Sequence, residues 1–437
     1  MKIHDSLEIT PVAGPICGVV RPPGSKSITN RALVCAALAE GPSTLHGALD
    51  SEDTRVMIQS LAALGICVDA ADKGRTRRVA GCGGAIPARQ ADMFVANSGT
   101  TMRFLTSLAT LGHGEFRLDG VPRMRERPMG DLVTALRDLG VDVRCESPGD
   151  CPPIVVQAAG LPGGPVAIRG DVSSQFLSGL MMAAPYAARP VAIEVAGPLV
   201  SVPYVSMTAR VMEAFGVETA ASPDFRALTI SNQHGYRGRE YDIEPDASAA
   251  SYFFAAAAVT NGAATVDGLT RRSMQGDVAF VDCLEKMGAR VNYADEGAGS
   301  ITVIGGPLRG VDVDMNAISD TVPTLAVAAL FADGPTRIRN VAHIRHKETD
   351  RLAAVAAELR KLGAAVEELA DGLIIRPGKP RAAAINTYDD HRMAMSFAIA
   401  GLRIPGVVIR DPGCTAKTYP DFFADLAALV SQSPLGG

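Results

Sequence analysis

Five times along this 437-residue chain a helix-like stretch ends in an apolar residue followed by glycine. The instances are Leu61-Ala-Ala-Leu-Gly65, Leu136-Arg-Asp-Leu-Gly140, Met212-Glu-Ala-Phe-Gly216, Leu284-Glu-Lys-Met-Gly288 and Leu359-Arg-Lys-Leu-Gly363. The glycine-to-glycine steps are 75, 76, 72 and 75 residues, and one further step lands at the end of the chain, where 422–430 is again helix-like. Glycine there suits the left-handed position just past a helix, where a Cβ is penalised. The residues that follow, Val141-Asp-Val and Ala289-Arg-Val, alternate as strands do. A period of this kind marks a repeat architecture, in which neighbouring units cover one another's apolar faces.

A second series runs in phase with the first. Segments 25–39, 97–109, 173–184, 246–259, 320–331 and 390–400 each open on polar residues and then turn apolar and Ala-rich, at steps of 72, 76, 73, 74 and 70. A helix that is apolar all round must be buried all round. Each repeat therefore supplies one buried helix, one surface helix and several short strands. Six repeats, taken three to a domain, predict two similar α/β domains. With 47% apolar residues the chain can fill two cores.

Composition removes several classes. Lys+Arg is 42 against 47 for Asp+Glu, a net charge of −5, so the cationic excess of a nucleic-acid binder is missing. The longest apolar runs, at 253–259 and 325–332, fall far short of the roughly 20 residues of a membrane span. Met1-Lys2-Ile3-His4-Asp5 opens without a signal-type apolar core. Eight cysteines, at 17, 35, 67, 82, 145, 151, 283 and 414, form no Cys-x-x-Cys pair. They read as reduced, mostly buried small hydrophobes of a cytoplasmic protein. Gly24-Ser25-Lys26-Ser27 is not a P-loop, since Gly and Lys are not adjacent and the upstream Gly is missing. No dinucleotide fingerprint or zinc spacing occurs either. No metal or cofactor is called for.

The polar openings of the buried segments suit helix N-caps. Capping, however, has no use for Lys26, Arg103, His391 or Arg392. Cations at the positive end of a helix need an anion there as well, which predicts an anion-binding cleft between the domains.

Seven motifs occur in order: Arg21-Pro-Pro-Gly-Ser-Lys26-Ser-Ile-Thr-Asn-Arg31, Asn97-Ser-Gly-Thr-Thr-Met-Arg103, Glu126-Arg127-Pro128, Asp171-Val-Ser-Ser-Gln175, Lys347-Glu-Thr-Asp-Arg351, Asp390-His-Arg-Met-Ala394 and Cys414-Thr-Ala-Lys417. Together they closely resemble the 5-enolpyruvylshikimate-3-phosphate synthase family over nearly the whole chain. The resemblance implies an inside-out α/β barrel in each of two domains, with buried parallel helices surrounded by short-stranded sheets. In that family the first strand belongs to the C-terminal domain. The implied boundaries are therefore 24–243 for a shikimate-3-phosphate-side domain and 1–23 with 244–437 for the second, the active site lying in the cleft between them. It also implies a glyphosate-targeted enzyme of the shikimate pathway that makes no use of nucleic acid or membrane. A monomer is the default expectation.

The implied reaction joins shikimate 3-phosphate to phosphoenolpyruvate (PEP) and releases phosphate. The 5-hydroxyl loses a proton and attacks C2 of the enol while C3 gains a proton. The tetrahedral intermediate then expels phosphate as C3 loses a proton. This requires a base, a group that gives and takes the C3 proton, and strong anion clamps. The substrates carry about five to six negative charges. Lys26, Arg31, Arg103, Arg127, Lys347, Arg351, Arg392 and Lys417 supply eight positive ones, and Asp320 and Glu348 reduce the balance to six.

The resemblance assigns the roles. Lys26, Arg127 and Lys417 hold the PEP phosphate, with Gln175, the Gly99 N–H and His391 nearby, and Arg351 and Arg392 pair with its carboxylate. Ser27 and Arg31 take the shikimate carboxylate. Ser173, Ser174, Ser201 and Lys347 take its phosphate, with Gln175 beside them, and Tyr204 packs on the ring. Asp320 is the base for the 5-hydroxyl, Glu348 the proton shuttle at C3, and Lys26 assists at the reacting oxygen. Asn97 and Arg103 support the site. Met393 and Met395 are core filling.

Some residues depart from the family pattern. His343 stands where Asn commonly bonds a shikimate hydroxyl, and its protonation is expected to add a pH dependence. Phe104 replaces a common Pro, and Ser98 and Thr101 replace small apolar residues beside Gly99. Gly99 itself is kept, which predicts continued inhibition by glyphosate. Two other readings differ in what they require. The sister UDP-N-acetylglucosamine enolpyruvyl transferase uses a loop Cys just before the Glu126-Arg127-Pro128 region, and no Cys occurs between Gly83 and Arg144. A silent metabolite sensor would have lost Lys26, Asp320 or Glu348, and all three are present.

Overall fold

Alanine loses least on entering a helix, so the Ala-rich segments form helices readily and pack them closely. A computed structural model of the chain describes residues 5–433; the reading of Met1 to His4 lies outside them. Among the described residues there are twelve α-helices. They are α1 (Lys26–Leu38), α2 (Glu52–Ala63), α3 (Gly99–Ala109), α4 (Gly130–Asp138), α5 (Ser174–Ala183), α6 (Val202–Ala214), α7 (Ala247–Thr260), α8 (Phe280–Met287), α9 (Val322–Ala328), α10 (Arg351–Lys361), α11 (His391–Gly401) and α12 (Phe422–Ser431). The six odd-numbered helices follow the Ala-rich pattern, and in α3, α7 and α11 every residue is buried. The even-numbered helices are amphipathic. In α4, Leu132, Val133, Ala135 and Leu136 face inward while Arg137 and Asp138 stay exposed.

The five repeat glycines all adopt positive φ: 85° at Gly65, 89° at Gly140, 92° at Gly216, 117° at Gly288 and 104° at Gly363. A β-carbon would be strained at each, which is why each helix stops there.

Among the described residues, five four-stranded sheets and one three-stranded sheet accompany the helices. Each four-stranded sheet has one parallel pair and two antiparallel pairs. In one of them Gln90–Phe94 runs parallel to His113–Asp119, which pairs antiparallel with Cys151–Ala159, and that in turn with Asp142–Ser147. The three-stranded sheet takes its antiparallel strand from the N-terminal Ser6–Glu8, paired with Val407–Arg410. Two strands join sheets far from their own helices in sequence. Cys17–Val20 pairs with Ala263–Asp267, and Glu240–Asp242 pairs with Pro42–His46. The chain accordingly divides into one compact unit of residues 24–243 and another of 1–23 with 244–437. In the latter, α12 docks through Phe422, whose ring lies 5.5 Å from Tyr252 and 6.0 Å from Phe253.

Two expectations need correction. Asp320 does not open α9; it lies in a 3-10 turn, Asn316–Thr321, and the helix begins at Val322 with Pro323 in its first turn, where a missing N–H costs nothing. Four cysteines rather than most are buried (Cys35, Cys151, Cys283 and Cys414); Cys67 is exposed and three are half-buried, all with free thiols. Among the described residues no helix is long and apolar enough to cross a membrane.

Candidate active site

In the 24–243 unit the predicted residues gather at helix starts. Ser25 caps α1, its Oγ accepting from the Ile28 N–H at 3.4 Å, so Lys26 is the first helical residue. Its Nζ lies 3.3 Å from Asp53, a buried carboxylate that sequence reasoning did not single out. Ser98 caps α3 and stands 2.8 Å from the Thr101 hydroxyl, so the two departures beside Gly99 form one capping pair.

Gly99 is needed for close approach: a Cβ there would collide with the guanidinium groups of Arg103 and Arg127. Arg127 Nη1 donates to the Asn97 carbonyl at 3.0 Å and its Oδ1 at 3.3 Å. Arg103 Nη1 donates to Gln175 Oε1 at 3.0 Å, and its guanidinium lies 5.3 Å from the Phe176 ring. Gln175 Nε2 donates in turn to Thr100 Oγ1 at 3.0 Å. Asn97, Gly99, Arg103 and Arg127, all buried, thus form one cationic cluster with the half-buried Gln175. Thr100 was missed, though it sits within the motif that carries Gly99.

Arg31 is buried and held more tightly than its sequence role implied. Nε donates to Thr208 Oγ1 at 2.7 Å, Nη1 to the Ser27 carbonyl at 2.9 Å, and Nη2 to Ser178 Oγ at 3.4 Å and the Tyr204 carbonyl at 3.1 Å. The Phe104 and Tyr204 rings lie 5.2 and 5.9 Å from it. Phe104, where the family commonly has Pro, is therefore a packing surface for this arginine. Burial lowers the Arg31 pKa to about 10, and the group remains a cation at neutral pH. Ser173 caps α5, accepting from the Gln175 N–H at 3.3 Å, and Ser201, at φ 54°, occupies the position just before α6. Ser173, Ser174 and Ser201 thus stand at the starts of two helices that pack together, and the positive end of each helix favours an anion.

The other unit carries the acids. Arg351, 1% exposed, opens α10 and spreads its fork over three carboxylates. Nη1 reaches Asp320 at 3.0 Å, Nη2 reaches Glu348 at 2.7 Å, and Nε reaches Asp390 at 2.7 Å. Burial alone would lower the Arg351 pKa, but Asp390, Glu348 and Asp320 outweigh it and raise it. Arg392 Nη2 reaches the other Asp320 oxygen at 2.5 Å, and Nη1 the Tyr252 hydroxyl at 3.4 Å. Lys347 Nζ lies 3.9 Å from Asp320. His391 is buried with Nδ1 3.7 Å from Asp390. Lys417 is buried at the end of the turn Pro412–Lys417, where its charge opposes the upward shift that burial imposes on Asp389. Asp390 and Tyr252 are functional neighbours that sequence reasoning passed over. The signal for Tyr252 was a lone hydroxyl in an Ala-rich helix.

His343 corrects an expectation. Burial, reinforced by the Lys347 charge, pushes its pKa from 6.5 down to about 3, so it stays neutral around neutral pH. The folded state resists a proton that the unfolded state takes up near 6.5, so this histidine costs stability as pH falls from 6.5 towards 3. His343→Asn should therefore leave the pH–rate profile above pH 5.5 unchanged in shape, at roughly two units and more above that pKa. It should also lose less thermal stability than the parent between about pH 7 and 4.5. A step near pH 6.5 that disappears in the variant would show that His343 titrates after all.

Residues 12–426 match the family described as EPSP synthase (3-phosphoshikimate 1-carboxyvinyltransferase). The chain is 50% identical over 430 residues to the 3-phosphoshikimate 1-carboxyvinyltransferase of Nostoc punctiforme, covering 98% of this chain and all of that one. It is 47% identical over 436 residues to the chloroplastic protein of that name from Arabidopsis thaliana, covering 95% of this chain and 83% of the relative. Among solved structures, the EPSP synthase of Acinetobacter baumannii superposes with a TM-score of 0.79 at 26% identity, over 98% of each chain.

Proposed function

The chain belongs to the EPSP synthase family, and from that premise we propose which residue performs each part of its reaction. It transfers the enolpyruvyl group of PEP to shikimate 3-phosphate, at the 5-hydroxyl, and releases phosphate. The observation that carries the assignment of the acids is the Arg351 fork. One planar guanidinium holds Asp320 on one nitrogen and Glu348 on the next, so the two carboxylates are set side by side by a single rigid group.

The same donors of Arg351 and Arg392 are the clamp for the PEP carboxylate. As that carboxylate takes them, Asp320 and Glu348 are freed to handle protons. Asp320 takes the 5-hydroxyl proton as the oxygen attacks C2. Glu348 gives C3 its proton and takes one back as phosphate leaves, with Lys26 at the reacting oxygen. Lys26, Arg127 and Lys417 hold the departing phosphate, with Gln175, the Gly99 N–H and His391 beside it. Arg103 keeps Gln175 in place through their mutual bond. Ser173, Ser174, Ser201 and Lys347 take the phosphate of shikimate 3-phosphate. Ser27 and Arg31 take its carboxylate, Tyr204 packs on its ring, and neutral His343 bonds a hydroxyl. Glyphosate targets this family, and a bare Gly99 leaves the approach to Arg103 and Arg127 clear for it. Eight free thiols support a cytoplasmic setting, and we read the chain as a monomer.

Phosphate release from PEP tests this reading, with shikimate 3-phosphate in one reaction and UDP-N-acetylglucosamine in another. Release is expected only in the first. Release only in the second would identify the sister transferase, and tight binding without release would identify a sensor.

A further inference from the structure

The Asp390-His391-Arg392 segment is placed by a loop that the backbone holds at a cost. Tyr388 and Asp389 lie in the left-handed region, at φ 55° and 54°, and neither is glycine. Such positions are strained for a residue with a β-carbon and persist only where surroundings impose them. A bulky tyrosine there is less common than Asn or Asp.

What imposes them is a carboxylate outside the site already described. Glu358 is 0% exposed on α10. Its Oε2 accepts from the Asn386 N–H at 3.2 Å, and its Oε1 accepts from the Tyr388 hydroxyl at 2.7 Å. Lys361 Nζ reaches both oxygens, at 2.8 and 2.7 Å, and so neutralises the buried charge. Glu358 lies about two helical turns beyond Arg351 and therefore on the same face of α10. That face holds the loop at both ends: Glu358 at Asn386 and Tyr388, and Arg351 at Asp390. Asp390 in turn accepts from the Arg392 N–H at 2.9 Å, and Arg392 reaches Asp320.

We propose that Glu358 is a positioning residue for the reaction, clamping the left-handed 386–389 loop so that Asp390 and Arg392 stand where the PEP carboxylate is held. This rests on the assignment of Arg392 to that carboxylate. Glu358 touches no substrate and acts through the loop. Its loss is therefore felt as weaker PEP use, while sites that accept shikimate 3-phosphate lie on other elements.

Glu358→Gln keeps the shape but loses the charge, and should raise the KM for PEP about tenfold while changing the KM for shikimate 3-phosphate less than about twofold. Two substitutions at Tyr388 separate strain from packing. Tyr388→Phe loses the hydroxyl bond and keeps the strained β-carbon. Tyr388→Gly loses the bond and the strain together, along with more packing. The clamp predicts that Phe raises the PEP KM more than Gly does, although Gly lowers the melting temperature more. Were Glu358 only a structural tie, the order of KM would follow the order of melting temperature, or both KM values would rise together, and the proposal would be overturned. The Tyr388 pair decides the matter even where Glu358→Gln fails to fold. Arg392→Lys checks the underlying assignment. If it spares the PEP KM while Glu358→Gln raises it, the assignment of Arg392 to the carboxylate falls, and with it this route from the clamp to PEP.

Discussion

Glu348→Gln is expected to lower kcat by about 10²- to 10⁴-fold while the KM of either substrate moves by less than about threefold. Glutamine keeps the length of the side chain and still offers an oxygen to Arg351 Nη2, which the carboxylate now meets at 2.7 Å. Arg351 also keeps Asp320 and Asp390, so the clamp survives. What the amide cannot do is carry a proton to and from C3. Run in deuterium oxide with shikimate 3-phosphate present, the parent should wash deuterium into C3 of PEP through reversible addition, and the variant should not. Parental exchange in the variant, or equal losses in kcat and KM, would remove Glu348 from the proton path.

Arg351→Ala should be among the most destabilising single changes in the chain, by about 3–5 kcal/mol at neutral pH. It would leave Asp390, 0% exposed, and Glu348, 8% exposed, facing each other and Asp320 without the cation that now meets all three. The sign of the pH effect identifies the cause. With Arg351 gone, Asp390 and Glu348 lose the cation they share while Asp320 keeps Arg392, so protonation relieves the remaining repulsion and the deficit against the parent shrinks as pH falls. Denaturant midpoints should accordingly differ more at pH 8 than at pH 5. A deficit that does not change with pH would point to lost packing, not to uncompensated charge. Arg351→Lys should recover only part of the loss, because one ammonium cannot reproduce the planar fork.

Much of this could be read before any fold was known. The spacing of Gly65, Gly140, Gly216, Gly288 and Gly363 located five helix ends, because a left-handed residue after a helix is a local requirement that glycine meets. The polar-to-alanine transitions located the six buried helices, because a helix apolar all round has only one place to go. Local reasoning erred where a single residue overrode the pattern. Pro323 moved the start of α9 past Asp320. Ser98 and Thr101, which looked like changes to the PEP site, bond each other across a helix cap.

The sequence by itself determined the repeats, the buried helices and the set of charged motifs, since each depends on neighbours within a turn or two of chain. Only the tertiary structure decided which charge answers which. Asp320, Glu348 and Asp390 come to one guanidinium from three separate elements. His343 is neutral because of the burial around it, and Glu358 grips a loop that follows it by three strands. Coulombic and hydrogen-bond energies depend on distances in space and on exclusion of water, and neither is written in the order of residues.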